Sequence, residues 1–153
     1  MAVKLDMVKA YDRVEWDFLE GVLRAMGFER GWVDRVLECV STVSSAALIN
    51  GTAKEVFRPA RGLRQGHPLS PYLFILCVEI LSSLVRRAVE NNMLKGLRIS
   101  SHAPMISHLF FADDSIFFLR ASETEAELLS VILRGYEKAS GQLINLDKTT
   151  GLL

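Results

Sequence analysis

Ile106-Ser-His-Leu-Phe-Phe-Ala-Asp-Asp-Ser-Ile-Phe-Phe-Leu119 decides how the chain folds. It is the most apolar strand candidate, and it is broken in the middle by Ala112-Asp113-Asp114-Ser115. Apolar run, short polar break, apolar run reads as strand, tight turn, strand. Such a hairpin places antiparallel pairing at the centre of a sheet. Working outward, Glu123–Ala139 is an amphipathic helix, with Ser122 as its N-cap and Glu125 three residues on. Leu143–Leu146 is a last short strand. On the other side, Tyr72–Val89 is apolar at 73, 74, 76, 77, 80, 81, 84 and 85, a wide stripe that predicts a long, mostly buried helix. Before it lies the loop PARGLRQGHPLSP, Pro59–Pro71. Ala46–Asn50 and Glu55–Phe57 read as a hairpin about Gly51. Val14–Met26, stopped by Gly27, and Trp32–Val43 carry helical spacing. Ala2–Leu5 reads as a strand. Strands and helices interleave, so the fold class is α/β or α+β, and the central hairpin argues against a purely parallel sheet.

The 153 residues fit one domain, with no repeat, linker or low-complexity segment. Half of the residues are hydrophobic and 24% are charged, which excludes a disordered chain. Eighteen basic and eighteen acidic residues give zero formal charge. That balance excludes a strongly basic nucleic-acid-coating protein but not a local basic groove. Cys39 and Cys77 lie in apolar stretches and read as two buried free thiols of a reducing compartment. No uncharged run reaches the length of a membrane span, and the first residues carry no signal region. A soluble, intracellular protein is expected, with nucleus, cytoplasm and organelle not distinguished.

Asp113 and Asp114 interrupt strands that are otherwise apolar. They read either as a polar hairpin turn or as carboxylates at strand ends that hold Mg²⁺ for phosphoryl transfer. Asp6 follows the run Ala2–Leu5. Alone it is an N-cap or a surface residue; beside Asp113 and Asp114 it completes a cluster of like charges, costly without cations. Arg61-Gly-Leu-Arg-Gln-Gly66 is either an ordinary surface loop or a ligand loop. Glycine allows close backbone approach, arginine matches phosphate, and Gln65 can hydrogen-bond a base, sugar or phosphate.

Four blocks in order resemble the palm of a reverse transcriptase of LINE-type (non-LTR) retrotransposons, most like those of plants. They are Leu5-Asp-Met-Val-Lys-Ala-Tyr-Asp12, Arg64-Gln-Gly-His-Pro-Leu-Ser-Pro-Tyr-Leu-Phe74, Phe111-Ala-Asp-Asp114 and Gly141-Gln-Leu-Ile-Asn145 followed by Lys148. The resemblance spans essentially the whole chain. It implies a ferredoxin-like (RRM-like) α+β palm: a mixed or antiparallel sheet with helices mainly on one face, and Asp6 beside the Asp113-Asp114 turn on the open face. It implies that Asp6, Asp113 and Asp114 hold two Mg²⁺ ions, Mn²⁺ substituting, with the Met7 carbonyl completing one shell. Tyr11 would lie under the incoming sugar and disfavour a 2′-hydroxyl. Arg64, Gln65 and Gly66 would contact the nucleotide and the template. Lys148 would protonate the leaving pyrophosphate. His67 stands where many relatives carry Cys. The aromatics Phe110, Phe111, Phe117 and Phe118 are expected to pack in the core and on the sheet, not to form base-stacking platforms. The implied reaction is template-directed attack of a primer 3′-hydroxyl on a deoxynucleoside triphosphate, with RNA template, DNA primer and dNTPs as partners and no membrane.

The family's fingers precede the first block and its thumb follows the fourth, so residues 1–153 are expected to be the palm portion alone. Two classes stand: an RNA-directed DNA polymerase, or a retroelement-derived fragment, inactive alone, that is at most a nucleic-acid-binding or interaction module. Oligomeric state has no signature in the sequence.

Overall fold

A computed structural model describes residues 1–49, 52–112, 114–145 and 148–152, with the backbone alone over 45–49, 52–57 and 150–152. The elements in chain order are β1 (Ala2–Val8), α1 (Trp16–Ala25), α2 (Arg30–Ser41), β2 (Ser45–Ile49), β3 (Thr52–Phe57), α3 (Ser70–Glu90), β4 (His108–Phe111), β5 (Asp114–Phe118), α4 (Glu123–Ser140), β6 (Leu143–Ile144) and β7 (Thr150–Leu152). The main sheet runs β4-β5-β1-β6, and β7 also pairs with β1. Every pairing described is antiparallel. With α1, α2, the separate β2–β3 ribbon and β7 set aside, the order β1-α3-β4-β5-α4-β6 is the split βαβ arrangement of ferredoxin-like folds. The expected fold class is observed.

The sheet has two unlike faces because side chains alternate along each strand. Leu5 and Met7 of β1 and Phe117 of β5 are buried. They meet Phe74, Cys77, Leu81 and Val85 of α3 and Leu129, Leu133 and Tyr136 of α4 in one core cluster. Full burial of each such side chain contributes about 1.5–3 kcal/mol. Lys4 and Asp6 alternate with Leu5 and Met7 and so lie on the open face. In α2 the stripe is Val33, Val36 and Val40. Cys39 lies off that stripe and is exposed, whereas Cys77 is buried, so only one thiol is in the core.

Several expected boundaries shift. β1 continues three residues past Leu5, because Met7 and Val8 pair with Ile144 and Leu143. Asp6 therefore lies within a strand and not at its end. The last expected strand shortens to Leu143–Ile144, and Thr150–Leu152 adds a strand that its three residues do not announce. Its pairing with Ala2–Lys4 creates it. The hairpin about Gly51 forms, while Asn50 and Gly51 themselves lie outside the described residues, as does Leu146.

Candidate active site on the open face of the sheet

β4 and β5 pair as far as Phe111↔Asp114, with Ala112 and Asp113 between those two in the sequence. Ala112 has φ +52°, the left-handed conformation that two-residue hairpins demand of their first turn residue. Asp113 lies outside the described residues. Asp114 is directly opposite Asp6 on β1. Facing carboxylates on adjacent strands repel, and here each has a cation beside it. Lys4 Nζ is 3.0 Å from Asp114 Oδ1, and Lys148 Nζ is 3.3 Å from Asp6 Oδ2. Asn145 donates its backbone N–H to the Asp6 carbonyl at 2.8 Å and places its side-chain amide 3.5 Å from Asp6 Oδ2. The Asp6 side chain is 20% exposed and that of Asp114 45%, so both remain open to solvent. The Met7 side chain points into the core, in register with Ile144. Among the described residues no three His, Cys, Asp or Glu converge. The donors that do face each other are carboxylate oxygens, which suit a hard divalent cation such as Mg²⁺.

The segment after Asp6 is held from two distant parts of the chain. Gly62 donates its N–H to Val14 and Leu63 donates its own to Tyr11, both at 2.8 Å. Trp16 Nε1 donates to the Gly62 carbonyl at 2.9 Å. Gly62 has φ +97°, and a Cβ there would stand 2.6 Å from the Asp12 carbonyl oxygen, so this close approach requires glycine. From the other side, the buried Gln142 donates Nε2–H to the Ala10 carbonyl at 3.0 Å and accepts from the Tyr136 hydroxyl. Arg13 Nε donates to the Gly141 carbonyl at 3.0 Å. The loop residues just before the second sequence block and the first residues of the fourth thus meet the chain at residues 10–14.

The expected nucleotide-contacting residues divide between two cavities. The Tyr11 ring stacks on Phe74 at 4.5 Å and 15°. It lines a cavity of about 500 Å³ with Phe110, Phe111 and Ala112. Arg64 and Gln65 line another of about 600 Å³, with Lys9, Asp12 and Arg61. Arg61 is bound to Glu15 at 2.9 Å. Gly66, φ +84°, is exposed beside them. Of the aromatics expected in the core and on the sheet, Phe117 is buried and Phe110 packs against it edge-on at 5.6 Å. Phe111 is instead 83% exposed, because alternation on the edge strand β4 turns it to the open face. His67 Nδ1 accepts from the Leu69 N–H at 3.3 Å, a local bond in the turn leading into α3.

The family description "Reverse transcriptase (RNA-dependent DNA polymerase)" matches residues 1–153. The chain belongs to the reverse transcriptase family. An uncharacterized mitochondrial protein of Arabidopsis thaliana is 59% identical over 68 residues, 44% of this chain and 56% of that protein. The transposon TX1 uncharacterized 149 kDa protein of Xenopus laevis is 30% identical over 153 residues, 99% of this chain. The retrovirus-related Pol polyprotein from type-2 retrotransposable element R2DM of Drosophila melanogaster is 32% identical over 146 residues, 94% of this chain. The chain spans only 11% and 13% of those two proteins. Among solved structures, telomerase from Candida albicans in complex with a fragment of telomeric RNA superimposes with a TM-score of 0.73 at 14% identity. That match covers 99% of this chain and 27% of the telomerase chain. Apo telomerase from Candida tropicalis, truncated from its C-terminal domain, gives 0.72 at 18% identity, over 99% of this chain and 30% of that one. These two likenesses concern the fold.

In this reverse transcriptase chain, two contributors to the site had no assigned role in the sequence. Gln142 stands in a quoted block, but one polar residue beside Gly141 does not announce a buried bridge. Lys4 is an ordinary strand lysine until the β1–β5 register sets it beside Asp114.

Proposed function

We propose that the chain is the palm of an RNA-directed DNA polymerase of a non-LTR, plant-like LINE-type retrotransposon. The observation that carries this reading is Asp6 facing Asp114, the first residue of β5, on the open face of the sheet. Asp6, Asp114 and, by the family pattern, Asp113 would hold two Mg²⁺ ions, with the Met7 carbonyl as a further oxygen donor. Mg²⁺ bound there supplies charge neutralisation at the reacting phosphate and at the leaving pyrophosphate. The protein's own part is to hold the reacting groups in line. Tyr11, braced by Phe74, lines the cavity beside Ala112 and would crowd a 2′-hydroxyl. Arg64, Gln65 and Gly66 offer a guanidinium, an amide and an uncrowded backbone to the triphosphate and the template. Lys148 sits 3.3 Å from Asp6, so proton delivery to pyrophosphate requires it to leave that carboxylate. RNA template, DNA primer and dNTPs are the proposed partners. No described helix is long and apolar enough to cross a membrane.

Primer extension on an RNA template with dNTPs and Mg²⁺ or Mn²⁺ tests the reading, with Asp113→Asn and Asp6→Asn alongside. The expected result is extension that falls at least about a hundredfold in either variant, because several kcal/mol of charge stabilisation is lost. Extension indifferent to both carboxylates would overturn it. A second reading, a retroelement-derived fragment that is inactive alone and at most a nucleic-acid-binding or interaction module, draws on the balance of eighteen basic against eighteen acidic residues, which weakens the hold on phosphate that a polymerase needs. RNA binding without extension would select it.

A further inference from the structure

Lys4 lies two residues before Asp6, on the same open face of β1. The β1–β5 register sets the apolar Ile116 opposite Lys4 and Asp114 opposite Asp6. No carboxylate stands directly across from Lys4. Its side chain crosses diagonally, within the reach that long side chains have across a sheet, and its ammonium rests 3.0 Å from Asp114 Oδ1. Lys148 is engaged separately, on Asp6. The two carboxylates therefore each have an ammonium, and the one on Asp114 comes from the strand that carries Asp6. Lys4 is exposed and its backbone is fixed in a strand, so this contact is set by register and not by core packing.

We propose that Lys4 is the resident counter-charge of Asp114, a positioning residue that weakens the hold of the acidic pair on divalent cations. The inference rests on Asp6 and Asp114 being cation ligands. A cation seated against Asp114 shares that carboxylate with the ammonium. A unit charge about 6 Å from a divalent ion in water opposes binding by roughly tenfold.

Mn²⁺ binding to the chain, followed by the loss of the free-ion paramagnetic resonance signal at fixed ionic strength, tests this without any turnover. Lys4→Met keeps the stem and removes the charge; it should bind Mn²⁺ about tenfold more tightly than the wild type. Lys4→Arg should bind like the wild type. Both should melt within a few degrees of the wild type, because the side chain is outside the core. Asp6→Asn should abolish binding in the wild-type and Lys4→Met backgrounds alike. Equal or weaker binding by Lys4→Met, with Asp6→Asn still abolishing it, overturns the role of Lys4 and leaves the cation site standing. Binding that survives Asp6→Asn, or no binding by either the wild type or Lys4→Met, overturns the cation site and the Lys4 role with it.

Discussion

Gly62 shows how one residue governs the chemistry of another far away in sequence. A methyl group there would meet the Asp12 carbonyl at 2.6 Å with the backbone at φ +97°. Gly62→Ala should destabilise the chain by about 2–4 kcal/mol, combining left-handed strain with backbone displacement. Urea titration of the two proteins checks this. An unchanged midpoint would show that the loop does not press on the turn after Asp6. Tyr11 carries the second prediction at this scale. Its ring is clamped on Phe74 and faces the cavity beside Ala112. Tyr11→Ala should raise incorporation of ribonucleotides relative to deoxynucleotides at least about tenfold in a primer-extension assay, the loss of one steric contact worth about 1–3 kcal/mol. A ratio that stays put would remove Tyr11 from sugar discrimination. At the residue scale the sequence was informative about types and poor about neighbours. Asp6 and Tyr11 could be singled out, but Lys4 required the register.

Helix α4 illustrates what is legible in an element. Ser122 is its N-cap and accepts from the Glu125 N–H at 3.3 Å, as the spacing indicates. Glu125, expected to reach back to the cap, instead accepts from the Arg120 and Lys95 N–H groups at 3.0 and 3.1 Å. Local spacing reveals the cap. It does not reveal that the segment just before the cap and the loop after α3 each offer the carboxylate another donor. The far end of the helix matters more for the site. Gln142 joins α4 to the Ala10 carbonyl, and the Tyr136 hydroxyl sits on the same amide. Gln142→Leu leaves that carbonyl without its donor and leaves the hydroxyl only the Cys77 carbonyl at 3.4 Å, so about 1–3 kcal/mol of stability should be lost. Denaturant midpoints would measure it, and a neutral result would mean that water replaces the amide. The strands divide in the same way. The β4–β5 hairpin is written in its own residues, whereas β7 exists because Ala2–Lys4 is there to pair with it.

Across the whole molecule, two reporters follow global packing. Burial pushes the Cys77 thiol up to about 12, while Cys39 is exposed. A thiol reagent at neutral pH should therefore titrate one cysteine in the folded chain and two in denaturant; two fast-reacting thiols in the folded chain would contradict the core described. His108 joins β4 to α3 through Ser82 Oγ at 2.9 Å and bonds Ser107 Oγ at 2.9 Å. Burial, with Arg86 adding to it and Glu79 opposing, lowers its pKa from the usual 6.5. The unfolded chain then binds the proton more readily, so stability is present above pH 6.5 and declines as the pH falls below it. Melting temperature should drop on acidification from pH 7 to 5.5, and His108→Gln should flatten that slope.

The meeting of distant segments at residues 10–14 also has a consequence in time. Ala10 and Gln142 are 132 positions apart. At typical rates of synthesis, on the order of 10 s separates the emergence of one from that of the other. Until Gly62 emerges the segment after Asp6 is held from neither side, and from then until Gln142 emerges it is held from one side only. The ribosome thus releases Asp6 long before Asp114, and Asp114 before the bond that fixes the segment after Asp6, so the order of translation keeps the site unformed until α4 has emerged.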